Sequence, residues 1–238
     1  MVVVSLLTLL FGACAPTDIL VSTQTSTLNP EPSEVADSST QETQGPVLSN
    51  ALVRGCERIQ APGGFENVGL VIGEPAVDFI LQDVNGNTVS LAGLLMEKPV
   101  VIVFGSFTWP PFRRQCAAND TLAREYGDEV HFIIIYTKEA HAIDTGRPLS
   151  YTYDDEGNPI YEPQTYEERQ ELARKTVDAE GITVRMLVDE MDNPLWCTYG
   201  PAPHIAYLIG TEGNIVAKQG WYSPEQMESA ILAYISNN

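Results

Sequence analysis

Basic residues are scarce in this chain, since 13 Lys and Arg stand against 32 Asp and Glu for a net charge of −19. Phosphate binding needs clustered Lys and Arg, so this balance excludes a nucleic-acid partner. The three histidines have no paired ligand spacing, and the sequence contains no C-x-x-C pair. We therefore expect neither a metal centre nor a bound cofactor, and no phosphate-binding loop is present.

Long hydrophobic runs are also missing, and the N-terminal run over residues 2–11 is too short to cross a bilayer. Its length suits the apolar part of a signal peptide. The small residues before Cys14 resemble a bacterial lipoprotein processing site, with Cys14 as the lipidated residue. The alternative is an ordinary cleaved signal peptide with an incidental cysteine. Residues 1–14 thus predict an exported protein, anchored to the extracytoplasmic face of a bacterial membrane or released into the periplasm.

Aromatic residues are nearly absent between residues 15 and 55, where Ser, Thr, Pro and Glu dominate. Such a composition cannot bury enough apolar surface to fold, so it predicts a disordered tether. Residues 56–71 then connect the tether to a folded part, residues 72–238, which is long enough for one domain.

The most informative segment is FGSFTWPPF at residues 104–112, which follows an apolar, β-branched run typical of a strand buried on both faces. Pro110 and Pro111 suit the first turn of a helix. Trp109 and Phe112 occupy the two cysteine positions of a thioredoxin-type C-P-P-C loop, where the helix N-terminus favours a thiolate. Neither side chain is a nucleophile, so this loop as written cannot perform nucleophilic catalysis.

The loop resembles F-G-S-C-T-U-P-P-F of the iodothyronine deiodinase family, in which U is selenocysteine. Four further segments resemble that family in the same order: EAH at 139–141, TYEER at 165–169, VDEMDN at 188–193, and YG at 199–200 with Pro203. The resemblance covers residues 72–236. It implies a thioredoxin-like three-layer α/β fold, in which helices flank a central mixed sheet.

Turn signals add detail to this expected fold. Asn85-Gly86-Asn87 predicts an N-terminal hairpin, and residues 206–209 and 214–218 predict another. We expect strands at 131–136 and 183–188 and a helix over 165–180. Residues 150–162 predict an inserted hairpin beside the EAH segment, which is either a lid over the site or a surface decoration.

Two hypotheses follow for position 109, because Phe107 stands where many family members have cysteine and Trp109 where they have selenocysteine. Selenocysteine is encoded by UGA and tryptophan by UGG, so a UGA codon translated as tryptophan would place Trp109 here. Alternatively, Trp109 is genuine and the chain has kept the fold without the chemistry.

The resemblance also assigns roles to other residues. His141 would supply a proton to the carbon that loses a halogen, and Glu139 would orient His141 or a phenolic group. Pro203 resembles the cis-proline of thioredoxin folds, and together with His204, Phe107 and Phe112 it is expected to line the substrate site. Without the resemblance, the segment around His141 would be interpreted as a loop that caps the following turn, in which His141 has no chemical role.

Three cysteines remain after Cys14. Cys197 is the candidate resolving thiol because the resemblance places the nearby Pro203 loop against the active loop; alternatively, Cys197 is a small buried hydrophobe. Cys116 lies two helical turns beyond Trp109, about 10 Å along the axis, which is too far for an unstrained bridge and predicts a packing role. Cys56 has no assignable role.

The first functional hypothesis is therefore a deiodinase-like selenol or thiol oxidoreductase, regenerated by an external thiol. Its partners would be a small aromatic or peroxide substrate, or a thiol/disulfide protein, together with the membrane surface reached through Cys14. The second is a catalytically silent binding module that uses Trp109 and Phe112 as surface contacts.

Overall fold

A computed structural model describes residues 45–57 and 64–237. The leader, Cys14 and the tether up to residue 44 lie outside the described residues. The strands are β1 (Ile80–Asp83), β2 (Thr88–Ser90), β3 (Val100–Gly105), β4 (His131–Tyr136), β5 (Arg185–Val188), β6 (Ala206–Ile209) and β7 (Ile215–Gln219). The α-helices are α1 (Leu91–Leu95), α2 (Pro110–Glu125), α3 (Tyr166–Glu180), α4 (Pro194–Tyr199) and α5 (Pro224–Asn237).

The strands form one mixed sheet in the order β2-β1-β5-β4-β3-β6-β7. Strand β4 pairs in parallel with β3 and β5, and the other neighbours are antiparallel. All six residues of β3 are buried. Val101 and Val103 pack on one face of the sheet, whereas Ile102 and Phe104 pack on the other. The mixed α/β sheet and the central strand buried on both faces are confirmed.

The N-terminal hairpin forms as predicted. Strands β1 and β2 are antiparallel, and Gly86 takes a φ of 84° in the turn. The carboxylate of Asp83 accepts hydrogen bonds from the backbone N–H groups of Asn85 (2.8 Å) and Asn87 (2.9 Å), which fixes the turn from inside.

The inserted segment forms the expected hairpin in a short form. Its two arms pair at the antiparallel bridge between Tyr153 and Pro159, where the N–H of Asp154 donates to the carbonyl of Asn158 (2.9 Å) and the N–H of Ile160 donates to the carbonyl of Thr152 (2.7 Å). Pro159 has no N–H to donate, so the pairing stays short. The segment does lie beside the EAH loop, because the N–H of Ile143 donates to the carbonyl of Ile160 (2.8 Å) and Thr152 Oγ1 donates to the carbonyl of His141 (2.8 Å).

Residues 45–57 pack along the domain, so the folded part begins before residue 72 and the tether ends earlier than residue 55. Ser49 forms a parallel bridge with Val77, and the N–H of Val53 donates to Thr198 Oγ1 at 2.8 Å. A disulfide joins Cys56 to Cys197 on α4. Backbone hydrogen bonds and a covalent bond therefore hold this segment, which we call the strap, against the domain.

Candidate active site

The loop between β3 and α2 has the expected backbone. Strand β3 ends at Gly105, and Trp109 is the N-cap residue of α2 with extended dihedral angles. The N–H of Trp109 donates to the carbonyl of Ser106 (3.1 Å), and the Trp109 carbonyl accepts from the N–H of Arg113 (3.2 Å). Position 109 thus lies at a helix N-terminus, where the partial positive charge favours an anionic side chain.

The indole of Trp109 is 7% exposed and lies within a row of rings. It stacks on the His141 imidazole, with ring centroids 5.4 Å apart and planes 16° from parallel. It also meets the Trp221 ring edge to face at 5.5 Å. The rings of His141 and Trp221 therefore lie beside the position where a nucleophile would stand.

Phe107 and Phe112 are both core residues, which contradicts their expected role as substrate contacts. The Phe112 ring fills the space that a Cβ on Gly105 would need. The Phe107 ring carries the Arg113 guanidinium over its face at 4.3 Å. Apolar packing against β3 and α2 withdraws both rings from solvent, so neither presents a surface for recognition.

Glu139 is buried, at 3% exposure, and holds the loop rather than facing solvent. Its Oε2 accepts hydrogen bonds from the backbone N–H (2.7 Å) and the hydroxyl (2.6 Å) of Thr108, while Oε1 accepts from the Tyr136 hydroxyl. The same hydroxyl of Tyr136 accepts from the N–H of Phe107 at 3.2 Å. Burial raises the pKa of Glu139, although these hydrogen bonds favour its ionised form.

His141 is brought next to position 109 by the same network. Its backbone N–H donates to Thr108 Oγ1 (2.9 Å), and its Nδ1 lies 2.7 Å from the carbonyl oxygen of Arg147. A carbonyl oxygen only accepts, so Nδ1 carries a hydrogen and the basic lone pair belongs to Nε2. The expectation that Glu139 sets this tautomer is wrong, because the Arg147 carbonyl does so.

Glu162 belongs to the site although no sequence motif indicated it. Its Oε2 accepts the backbone N–H of Glu139 at 2.7 Å, and its Oε1 lies 3.4 Å from Arg169 Nη2. Burial, and next the charge of Glu139, raise the pKa of Glu162 to about 7. A buried carboxyl group and a half-buried one thus lie beneath the EAH loop, and their separation of 23 residues hid the pairing from the sequence.

Tyr136 also belongs to the site and was not predicted, although its position at the end of a parallel strand is a signal that could have identified it. It is the last residue of β4, and the carboxyl ends of the parallel strands β3 and β4 meet beside the loop. A polar side chain at that edge is well placed to reach position 107. Burial raises the pKa of its hydroxyl well above the usual value, which keeps Tyr136 a hydrogen-bond donor.

Pro203 and His204 do not match their predicted roles. The peptide bond before Pro203 is trans, and the Trp196 indole N–H fixes the preceding carbonyl of Ala202 at 2.9 Å. His204 is fully buried and packs edge-on against Phe112. Burial lowers its pKa to about 4, so it stays neutral inside the fold and does not line the site.

Cys197 cannot be the resolving thiol in this arrangement, because its sulfur is bonded to Cys56. It also packs in the hydrophobic cluster on the opposite face of the sheet from Trp109. Cys116 is a free, buried thiol whose Sγ lies 3.3 Å from the carbonyl of Phe112. Burial raises its pKa to about 12, which suits the expected packing role.

Within residues 45–57 and 64–237, no group of three or more His, Cys, Asp or Glu side chains is arranged to hold a metal ion. Over the same residues, no helix has the length and apolar character needed to span a bilayer.

Comparison with known proteins decides the family. The iodothyronine deiodinase family matches residues 72–230, two thirds of the chain and all of the site described above. The chain belongs to the iodothyronine deiodinase family. A thyroxine 5-deiodinase of Sparus aurata is 30% identical over 129 residues, covering 54% of this chain and 45% of the relative. A type I iodothyronine deiodinase of Xenopus laevis is 27% identical over 165 residues, covering 67% and 62%.

This member of the family spans about half the length of the curated relatives it matches. Its fold is thioredoxin-like. The thioredoxin domain of a thiol-disulfide oxidoreductase from Bacteroides vulgatus superimposes with a TM-score of 0.50 at 16% identity, covering 68% of this chain and 99% of that structure. The thioredoxin-like α/β fold that the resemblance implies is confirmed.

Proposed function

We propose that this deiodinase-family chain is a selenol or thiol oxidoreductase whose nucleophile belongs at position 109. The observation that carries the proposal is the intact scaffold around that position. Residue 109 caps helix α2, and Glu139 and Tyr136 hold the preceding loop through Phe107 and Thr108. None of these hydrogen bonds uses the side chain of residue 109, so the scaffold suits a selenocysteine or cysteine there.

In the proposed reaction, a selenolate or thiolate at 109 attacks the iodine of an aryl iodide and takes it from the ring. The electron pair of the broken carbon–iodine bond stays on carbon, which accepts the proton that His141 Nε2 has taken from the selenol or thiol at 109. Two equivalents of an external thiol then reduce the selenenyl or sulfenyl iodide, giving a disulfide, iodide and the free nucleophile. His141 suits the proton transfer because its ring stacks directly on the side chain at 109.

The second candidate is a binding module in which Trp109 is genuine. The observation that favours it is the fit of the Trp109 indole between His141 and Trp221. Because Trp109 and Phe112 are buried, recognition in this case falls to other residues than that pair.

We also propose that the chain acts outside the cytoplasm, as a lipoprotein anchored through Cys14 or as a released periplasmic protein. The Cys56–Cys197 disulfide supports this, since structural disulfides persist in oxidising compartments. A thiol or disulfide protein is the proposed source of reducing equivalents, and the net charge of −19 agrees with a solvent-facing exported domain.

The test is a Trp109→Cys variant assayed for iodide release from an aryl iodide in the presence of a thiol. Trp109→Ser is the matched control, because it opens the same space without a nucleophilic sulfur. Release by the Cys variant alone, lost in a Trp109→Cys/His141→Ala double variant, supports the proposal. A Cys variant that folds and shows no more turnover than the Ser variant favours the binding module. The genomic codon for residue 109 then distinguishes selenocysteine from tryptophan in the natural protein.

A further inference from the structure

Trp221 is an exposed aromatic side chain beside the candidate active site. It follows β7, and 46% of its surface reaches solvent although its neighbour Tyr222 is buried. One ring contact is with Phe65, stacked at 6.3 Å with planes 19° apart. The other is with Trp109, edge to face. Trp221 therefore continues the row of rings from the site to the surface.

The backbone around Trp221 is held on both sides. A Cβ on Gly220 would overlap the backbone of Phe65 and Glu66, so only glycine allows this close approach. The N–H of Gly220 donates to Glu66 Oε1 at 3.0 Å. On the other side, the N–H of Tyr222 donates to the carbonyl of His204 at 2.9 Å. An exposed indole on such a fixed backbone is pre-organised for binding, since little conformational entropy is lost when a ligand contacts it.

The side chains at Trp221 favour a planar, uncharged aromatic ring as the ligand. Indole faces attract other aromatic rings in stacked or edge-to-face arrangements. The nearest acidic group on the segment packed against Trp221 is Glu66, and the whole chain carries a net charge of −19, which disfavours anionic ligands.

We infer that Trp221, backed by Phe65, is a substrate-positioning platform that takes an uncharged planar aromatic ring and presents it to position 109. The inference rests on the proposed function for its catalytic meaning, but ring binding at Trp221 can be measured without any turnover. A ring on this platform lies next to Trp109 and therefore next to the nucleophile of a Trp109→Cys variant.

The first experiment measures binding of 4-iodophenol to the unaltered protein, with cyclohexanol as a non-planar ring of similar size. In NMR titrations, the indole N–H signal of Trp221 should shift, while that of Trp196, which packs on the opposite face of the sheet, stays constant. Trp221→Ala should weaken binding by about ten-fold, and Trp221→Phe should stay within a few-fold of the unaltered protein. Ile80→Ala, which removes an apolar side chain that is 68% exposed on β1, at the other side of the sheet from β7, should change nothing.

Equal binding by the Trp221→Ala variant, or equal binding of cyclohexanol, overturns the platform. Because Trp221→Phe keeps an aromatic ring on the same backbone, it keeps the test valid if the Ala variant fails to fold. In the Trp109→Cys background, an unchanged KM after Trp221→Ala overturns the platform while the proposed function stands. Ring binding that depends on Trp221, combined with no iodide release from Trp109→Cys, overturns the proposed function and leaves the platform standing.

Discussion

Breaking the Cys56–Cys197 disulfide should lower the free energy of unfolding of the domain by several kcal/mol. The bond joins residues 141 apart, so it closes a long loop in the unfolded chain. In the chain-entropy relation, a loop of that length corresponds to about 5 kcal/mol at 25 °C. The strap also loses its tie to α4, although its hydrogen bonds to Ala76 and Thr198 remain available.

For a domain of this size, each kcal/mol moves the midpoint of thermal unfolding by about 2–4 °C. A Cys56→Ser/Cys197→Ser variant should therefore unfold roughly 10–20 °C below the unaltered protein. Circular dichroism on heating measures the shift. Reductant should lower the midpoint of the unaltered protein by a similar amount and leave the double variant unchanged, which controls for the serine substitutions.

If the midpoint of thermal unfolding of the double variant falls by less than about 2 °C, the reasoning is refuted. Such a result would mean that the strap and α4 stay ordered together without the bond, or that the bond contributes nothing to stability. An equal effect of reductant on both proteins would trace the loss to something other than this disulfide.

Three further substitutions test the site. Glu162→Gln should flatten the pH dependence of the free energy of unfolding. The pKa of Glu162 is about 7 in the folded protein and 4.5 for the free side chain, so the folded state binds more protons between these values. In the unaltered protein the free energy of unfolding therefore falls as pH rises through that window, by up to about 3 kcal/mol. Urea unfolding at pH 4.5 and 8 measures this, with the exposed Glu129→Gln as control, and parallel curves for Glu162→Gln and the unaltered protein would contradict it. Tyr136→Phe should lower the free energy of unfolding by about 1–3 kcal/mol, because it leaves the N–H of Phe107 without its acceptor and removes a donor from Glu139. An unchanged urea midpoint would show that the network is not needed for folding. Gly105→Ala should lower the free energy of unfolding by about 1–3 kcal/mol, because a Cβ there overlaps the Phe112 ring. Gly45→Ala should leave the urea midpoint unchanged, because a Cβ there makes only an ordinary van der Waals contact.

The elements that the sequence predicted well are those whose own residues determine them. Strand β4 covers the predicted residues, because an apolar run such as FIII has few alternatives to a buried strand. Helix α3 begins where Thr165 and Glu168 form a capping box, and it ends before Gly181 in the left-handed conformation. The N-cap position of Trp109 likewise followed from Pro110 and Pro111.

The parts that could not be predicted depend on contacts between distant residues. The strap lies within the segment predicted as a tether or connection, and it is ordered by the bond from Cys56 to Cys197 and by pairing with Val77. The inserted hairpin is short because Pro159 cannot donate to the ladder, and the hydroxyl of Thr152 joins it to the EAH loop through the carbonyl of His141. Composition and periodicity describe a segment by itself, so they carry no information about such partners.

Residue 109 determines the chemistry of the loop but not the hydrogen bonds that hold it. The loop is held through the backbone of Phe107 and the backbone and hydroxyl of Thr108, whose partners are Tyr136 and Glu139. The side chain at 109 contributes ring contacts to His141 and Trp221 but none of these hydrogen bonds. Replacing Trp109 by a residue with sulfur or selenium therefore changes the chemistry at the helix N-terminus while the loop keeps its supports. Trp109→Cys also removes a large buried side chain and should lower stability, but Trp109→Ser loses the same ring contacts, so the difference in turnover between these two variants reports the sulfur alone.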